Sequence, residues 1–161
     1  MTHTLAGVPV GARYFEDYVP GSVVDCGAID VDHDEVLAFG RRFDPQPFHA
    51  DPAAAAAGPF GGLIASGWHT GALMMRLFVQ KYISSVASLA SPGAESLQWL
   101  APVRPGDRLH VVVSVLYARR SRSKPDRGIV VSLVSVRNQD EVEVMTMKVT
   151  NLLACRPATR G

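Results

Sequence analysis

The sequence predicts an α+β fold, an antiparallel sheet wrapped around one long central helix. Three observations predict it. Residues 66 to about 90 contain no proline, and Gly67 and Gly71 near the start are the only glycines. Within that stretch Leu73, Met74, Leu77, Phe78, Tyr82, Ile83 and Val86 recur at helical spacing, while Met75, Val79 and Leu89 extend the apolar surface around the circumference. A helix of that kind is mostly buried, and at the usual rise it would run roughly 36 Å. After Pro92-Gly93 the pattern changes to a period of two: Leu109, Val111, Val113 and Val115 alternate with Arg108, His110 and Ser114. These strands follow one another across short turns, which favours antiparallel pairing.

The elements then fall in order. Residues 1–13 hold little that packs and read as a loose N-terminal arm. Tyr14-Phe15-Glu16-Asp17-Tyr18 covers an edge of the core before the turn at Pro20-Gly21, and residues 23–31 read as a strand. Asp32 or Asp34 caps a helix whose Val36, Leu37, Phe39 and Phe43 share one face. A proline-rich loop follows. Asp51-Pro52 ahead of five alanines is an N-cap with proline at the first helical position, so a short helix comes next. Gly58-Pro59-Phe60-Gly61-Gly62 breaks the chain before the long helix. Beyond that helix, residues 96–100 form a short strand ending at Pro102. Residues 128–137 are rich in Val and Ile, with Asn138-Gln139-Asp140-Glu141 as their turn. Met145, Met147 and Val149 alternate with Thr146, Lys148 and Thr150 in the last strand. There is no internal repeat, and residues 1–161 read as a single domain.

Composition narrows the function. A chain of 161 residues buries a real core without disulfides or metals. With 47% hydrophobic and 19% charged residues it is globular, and a net charge of +1 gives no global attraction to nucleic acid or acidic membranes. Cys26 and Cys155 form no C-x-x-C pair and read as small buried hydrophobes. His3, His33 and His110 are scattered, so no metal site is expected. The N-terminus lacks the pattern of a signal peptide, and the apolar region 73–89 is interrupted by Arg76, Gln80 and Lys81. The expectation is a cytoplasmic protein with no membrane and no nucleic-acid partner.

The best lead to chemistry is Phe43-Asp44-Pro45-Gln46-Pro47-Phe48-His49-Ala50-Asp51-Pro52. Asp44 and His49 are a carboxylate and an imidazole, whose ordinary pKa values of roughly 3.9 and 6.5 suit proton transfer. Each proline holds the residue before it in extended backbone, so Asp44 and Gln46 cannot sit inside a regular helix. The expectation is a stiff, non-repetitive loop holding both groups. Asp51 is assigned to capping rather than catalysis.

These residues resemble the MaoC-like family of hot-dog proteins, which includes R-specific enoyl-CoA hydratases. The family loop runs Asp-x-Asn-Pro-x-His, usually followed by x-Asp-Pro; Asp44, Pro47, His49, Asp51 and Pro52 match, and Gln46 replaces the Asn. Where the family opens its central helix with His-Gly, this chain has Ser66-Gly67. Pro102-Val103-Arg104-Pro105-Gly106-Asp107 is similar to the family's Pro-Val-x-x-Gly-Asp turn. The resemblance runs from about residue 14 to 153.

The resemblance implies a hydro-lyase acting on the 2,3 double bond of an enoyl-CoA thioester, an enoyl-CoA hydratase or 3-hydroxyacyl-CoA dehydratase. Asp44 and His49 would hold and polarise the water. The Gly67 N–H at the helix start would receive enolate charge on the thioester oxygen, since glycine admits close approach and helix starts offer free N–H groups. Gln46, Ser66, Trp68 and His69 are candidate substrate contacts, although Ser66 also suits an N-cap and His69 suits packing. Coenzyme A enters only as part of the substrate, with no other cofactor. The basic run 119–127 reads as a solvated hairpin or as a contact for coenzyme A phosphates. The resemblance also implies a homodimer or higher homo-oligomer. The alternatives are an acyl-CoA thioesterase of the same fold, or a non-catalytic acyl-CoA-binding protein. A helix carboxylate of the kind one thioesterase mechanism uses is missing, because residues 67–94 contain no Asp or Glu.

Overall fold

The alternating stretches form five strands in a computed structural model that describes residues 5–158. The strands are β1 (Val23–Asp30), β2 (Ser88–Trp99), β3 (Arg108–Arg120), β4 (Arg127–Arg137) and β5 (Glu143–Ala154). They make one antiparallel sheet in the order β1-β3-β4-β5-β2. Four helices lie between β1 and β2: α1 (His33–Phe43), α2 (Pro47–Ala50), α3 (Pro52–Ala57) and α4 (Gly67–Lys81). One face of α4, through Leu73, Met74, Leu77 and Phe78, shares a core with the inward positions Leu109, Val111, Val113 and Val115 of β3 and Val130, Val134 and Val136 of β4. Period two in the strands and period 3.6 in the helix both put their apolar side chains into this one layer.

The central helix is shorter than the apolar run suggests. It has 15 residues, about 22 Å of helix, and stops at Lys81 instead of continuing towards residue 90. Ser84 ends it: its hydroxyl accepts the N–H groups of Val86 and Ala87 and donates to the Arg13 carbonyl. A serine that takes over neighbouring backbone donors competes with helix formation. Nor is α4 covered all round, since Met75 and Val79 are 41% and 51% exposed, and Leu89 lies on β2.

Two further expectations are corrected. The segment from Leu5 to Arg13 is anchored and is not a loose arm. Leu5 is fully buried, and the buried Arg13 guanidinium donates to the carbonyls of Val8, Lys81 and Tyr82. It thereby satisfies the open carbonyls at the C-terminal end of α4, where a cation is also favoured by the helix dipole. Residues 1–4, including His3, lie outside the described residues. The strand expected over 96–100 begins at Ser88 and runs through Pro92-Gly93, with three register shifts against β5 and Gly93 at φ 145°. An edge strand tolerates this, because only one of its sides pairs. Among the described residues no helix is long and apolar enough to cross a membrane.

Candidate active site

Asp32, two residues past β1, caps α1, its side chain accepting the Glu35 N–H at 2.9 Å. The helix runs until Asp44, which Pro45 keeps out of the helical region, at φ −148° and ψ 70°. Gln46 and Pro47 then start a new helical turn, with Gln46 at the N-cap and proline at the first position. His49 therefore sits on α2, which corrects the expectation of a wholly non-repetitive loop. The Gln46-Pro47 pair was a readable signal for that turn. Gly40 explains how α1 and α2 lie so close, because a Cβ there would strike the backbone carbonyl of His49. Asp51 caps α3 by accepting from the Ala53 and Ala54 N–H groups.

The geometry orients both the His49 imidazole and the Asp44 carboxylate. His49 is buried, and its Nδ1 lies 2.8 Å from the Ile64 carbonyl oxygen. A carbonyl only accepts, so Nδ1 carries the hydrogen and the neutral ring has its lone pair on Nε2. That Nε2 is 3.3 Å from Oδ2 of Asp44. The same Oδ2 accepts the Ser66 hydroxyl at 2.7 Å, and Oδ1 accepts the Gln46 amide at 2.8 Å. Burial by itself would raise the Asp44 carboxyl. The bonds from Gln46 and Ser66, with the nearby His49 ring, outweigh it and hold the carboxyl below its usual range.

Gly67 opens α4 directly after Ser66, the N-cap whose hydroxyl oxygen accepts the Trp68 N–H. Among the described residues the Gly67 N–H has no acceptor. Its glycine is required by Trp99: a Cβ would enter the indole ring, whose Nε1–H donates to the Gly67 carbonyl at 2.9 Å. His49, Gly67, Thr70 and Trp99 line one cavity of about 310 Å³, completed mainly by apolar groups including Phe48, Phe60, Ile64 and Val103. Such a cavity suits a largely apolar ligand oriented by a few convergent polar groups. Thr70 and Trp99 were not singled out in the sequence. A tryptophan near a strand end carries no local sign that it will cover a distant glycine.

The remaining candidates fall elsewhere. Gln46 is exposed and spends its amide on Asp44. Trp68 is exposed and packs edge-on against Trp99, outside the cavity lining. His69 is buried but stacks on Phe39 and bonds Glu35 through Nε2 at 3.1 Å; it does not line the cavity. The basic run 119–127 forms the β3–β4 hairpin. The cavity lies towards the opposite end of β3: Trp99 pairs with Met145, Met145 with Val136 and Val136 with Val111, nine residues or about 30 Å along the strand from Arg120. Cys26 is buried, which pushes its thiol up to about 11, whereas Cys155 is only half-buried. Among the described residues no three His, Cys, Asp or Glu side chains gather as metal ligands.

Comparison with known proteins adds four relationships. A family model described as MaoC like domain matches residues 17–149. A MaoC-like dehydratase structure from Rhodospirillum rubrum is 39% identical, with a TM-score of 0.84 over 91% of this chain and 99% of that one. The uncharacterized protein YdeM of Bacillus subtilis is 30% identical over 86% of this chain and 96% of its own length. The 3-hydroxyacyl-thioester dehydratase Z of Mycobacterium tuberculosis is 42% identical over 90 residues, which are 55% of this chain and 60% of that protein.

Proposed function

The chain belongs to the MaoC-like domain family and has the hot-dog fold, and from that premise we propose that it is a cytoplasmic enoyl-CoA hydratase or 3-hydroxyacyl-CoA dehydratase. The single observation that supports this reading most is one apolar cavity bordered by both His49 and Gly67, with Oδ2 of Asp44 3.3 Å from the His49 Nε2. Similarity to a MaoC-like dehydratase and to a 3-hydroxyacyl-thioester dehydratase supports the reaction class.

In the hydration direction a water donates one hydrogen to Nε2 of His49 and the other to Asp44. Its oxygen lone pair is thereby turned towards the β-carbon. As the C–O bond forms, the water proton passes to Nε2 and the C2=C3 electrons move into the thioester as an enolate. The Gly67 N–H and the positive end of α4 meet the charge on the enolate oxygen. The imidazolium then returns its proton to C2 and the carbonyl re-forms. Dehydration runs the same steps backwards. A positioned acid/base group contributes about 10²–10⁴ in rate, and an oxyanion donor about 10²–10³.

The unpaired edge of β2, on which Leu89 and Trp99 are exposed, is covered by a second copy of the chain. A strictly monomeric protein by light scattering would refute that assembly. The activity is tested by following loss of the conjugated thioester absorbance of a 2-enoyl-CoA. Asp44→Asn and His49→Ala should each lower kcat by about 10² or more. Activity that survives both substitutions sinks the assignment.

A further inference from the structure

We propose that Ser66 is a positioning residue that locks the acid/base carboxylate to the helix start carrying the oxyanion donor. The inference rests on the hydratase reading above and adds a role for a residue standing where the family keeps histidine. Ser66 is buried, and its hydroxyl has one hydrogen and two lone pairs. The hydrogen goes to Oδ2 of Asp44 at 2.7 Å, while a lone pair takes the Trp68 N–H at 3.3 Å. Its own carbonyl accepts the Thr70 N–H at 3.0 Å, so the residue is held by α4 from both sides of its Cα. The next peptide nitrogen is that of Gly67. One side chain and one peptide link therefore separate the group that holds the water from the group that meets the enolate oxygen.

Gln46 pins the other oxygen of Asp44. With both oxygens held by neutral donors, the carboxylate cannot turn about its terminal torsion, which is otherwise broad. Oδ2 is thereby kept 3.3 Å from Nε2 of His49. Among the described residues His49 is the one ionisable side chain within ion-pair distance of Asp44, since Gln46 and Ser66 are neutral.

A purely capping role makes a different forecast. Glycine caps helices nearly as well as serine but cannot donate. Ser66→Gly should therefore keep the helix start and lose only the stability that the bond to Asp44 carries, while it lowers kcat about 10- to 100-fold and changes KM little. The titration of the Asp44 carboxyl, read by carbon-13 NMR, should move upward. Ser66→Ala should add a stability loss to the same catalytic defect, and Ser66→Thr should recover kcat by restoring the hydroxyl. A Ser66→Gly protein with wild-type kcat and an unmoved Asp44 titration overturns the proposal, as does a Ser66→Thr protein that folds, bonds Asp44 and stays as slow as the glycine variant. If the wild type hydrates no enoyl-CoA, the hydratase reading fails, and the carboxyl titration still decides whether Ser66 holds Asp44.

Discussion

Substituting alanine for Gly67 places a methyl group inside the indole of Trp99, with Cδ2 at 2.6 Å and Nε1 at 2.7 Å. No real Cβ tolerates those separations, so the ring has to swing away. Trp99 is partly exposed and has room to do so, but the movement breaks the Nε1–H bond to the Gly67 carbonyl and disturbs the edge-on packing against Trp68, whose ring centre is 5.0 Å away. Each loss is worth about 0.5–1.5 kcal/mol. Alanine recovers up to about 1 kcal/mol over glycine in a helix, and less at the first position. The net expectation is a destabilisation of about 1–2 kcal/mol, which lowers Tm by about 2–8 °C in a domain of this size. Trp68 and Trp99 are the only tryptophans, so intrinsic fluorescence reports on this pair alone. The decisive assay is a double-mutant cycle with Trp99→Leu, in which Gly67→Ala should become neutral or stabilising. Additivity to within about 0.5 kcal/mol would show that the indole does not dictate the glycine, and the reasoning would be refuted.

Three other perturbations follow from the same contacts. Gly40→Ala drives a methyl into the His49 backbone, which cannot turn aside like a side-chain end; stability should fall by about 1–3 kcal/mol in urea and kcat at least about tenfold as α2 shifts away from Asp44. Arg13→Ala leaves three carbonyls without their donor and should cost about 2–4 kcal/mol, whereas a loss under about 0.5 kcal/mol would restore the loose-arm reading. For pH, the Asp44 carboxyl is held lower in the folded chain than in the unfolded one. Its contribution to stability is therefore complete above the unfolded value near about 3.9 and is lost as pH falls through the lower folded value. Asp44→Asn should flatten the acid side of the stability curve by that amount, and an unchanged acid profile in a folded variant would contradict the geometry.

What could be read from the sequence was whatever depends on residues a few positions apart. Alternation in β3 and β5 marks strands because neighbouring side chains point to opposite faces. Asp32 and Asp51 announce helix starts, since their caps close within two or three residues. Asp44 and His49 stood out because two prolines constrain the backbone between them. The family resemblance rested on the same local spacing.

What the sequence hid depends on partners far along the chain. The end of α4 is set by Arg13 and Ser84, 71 residues apart, and an apolar run continuing past Lys81 carries no trace of that contact. Pro92 looked like a boundary because nothing local says that β2 is an edge, where a missing donor does no harm. His69 looked available beside Gly67, yet helical rotation turns it onto Phe39 and Glu35 of α1. Ser66 was legible as a cap; that its hydrogen belongs to Asp44, 22 residues earlier, was decided by how α1 packs on the start of α4. The sequence by itself determined the element types and the chemical groups, because local backbone preference and side-chain period are written residue by residue. Only the tertiary structure decided which groups face one another, because a hydrogen bond chooses its partner by distance in space and not by position in the chain.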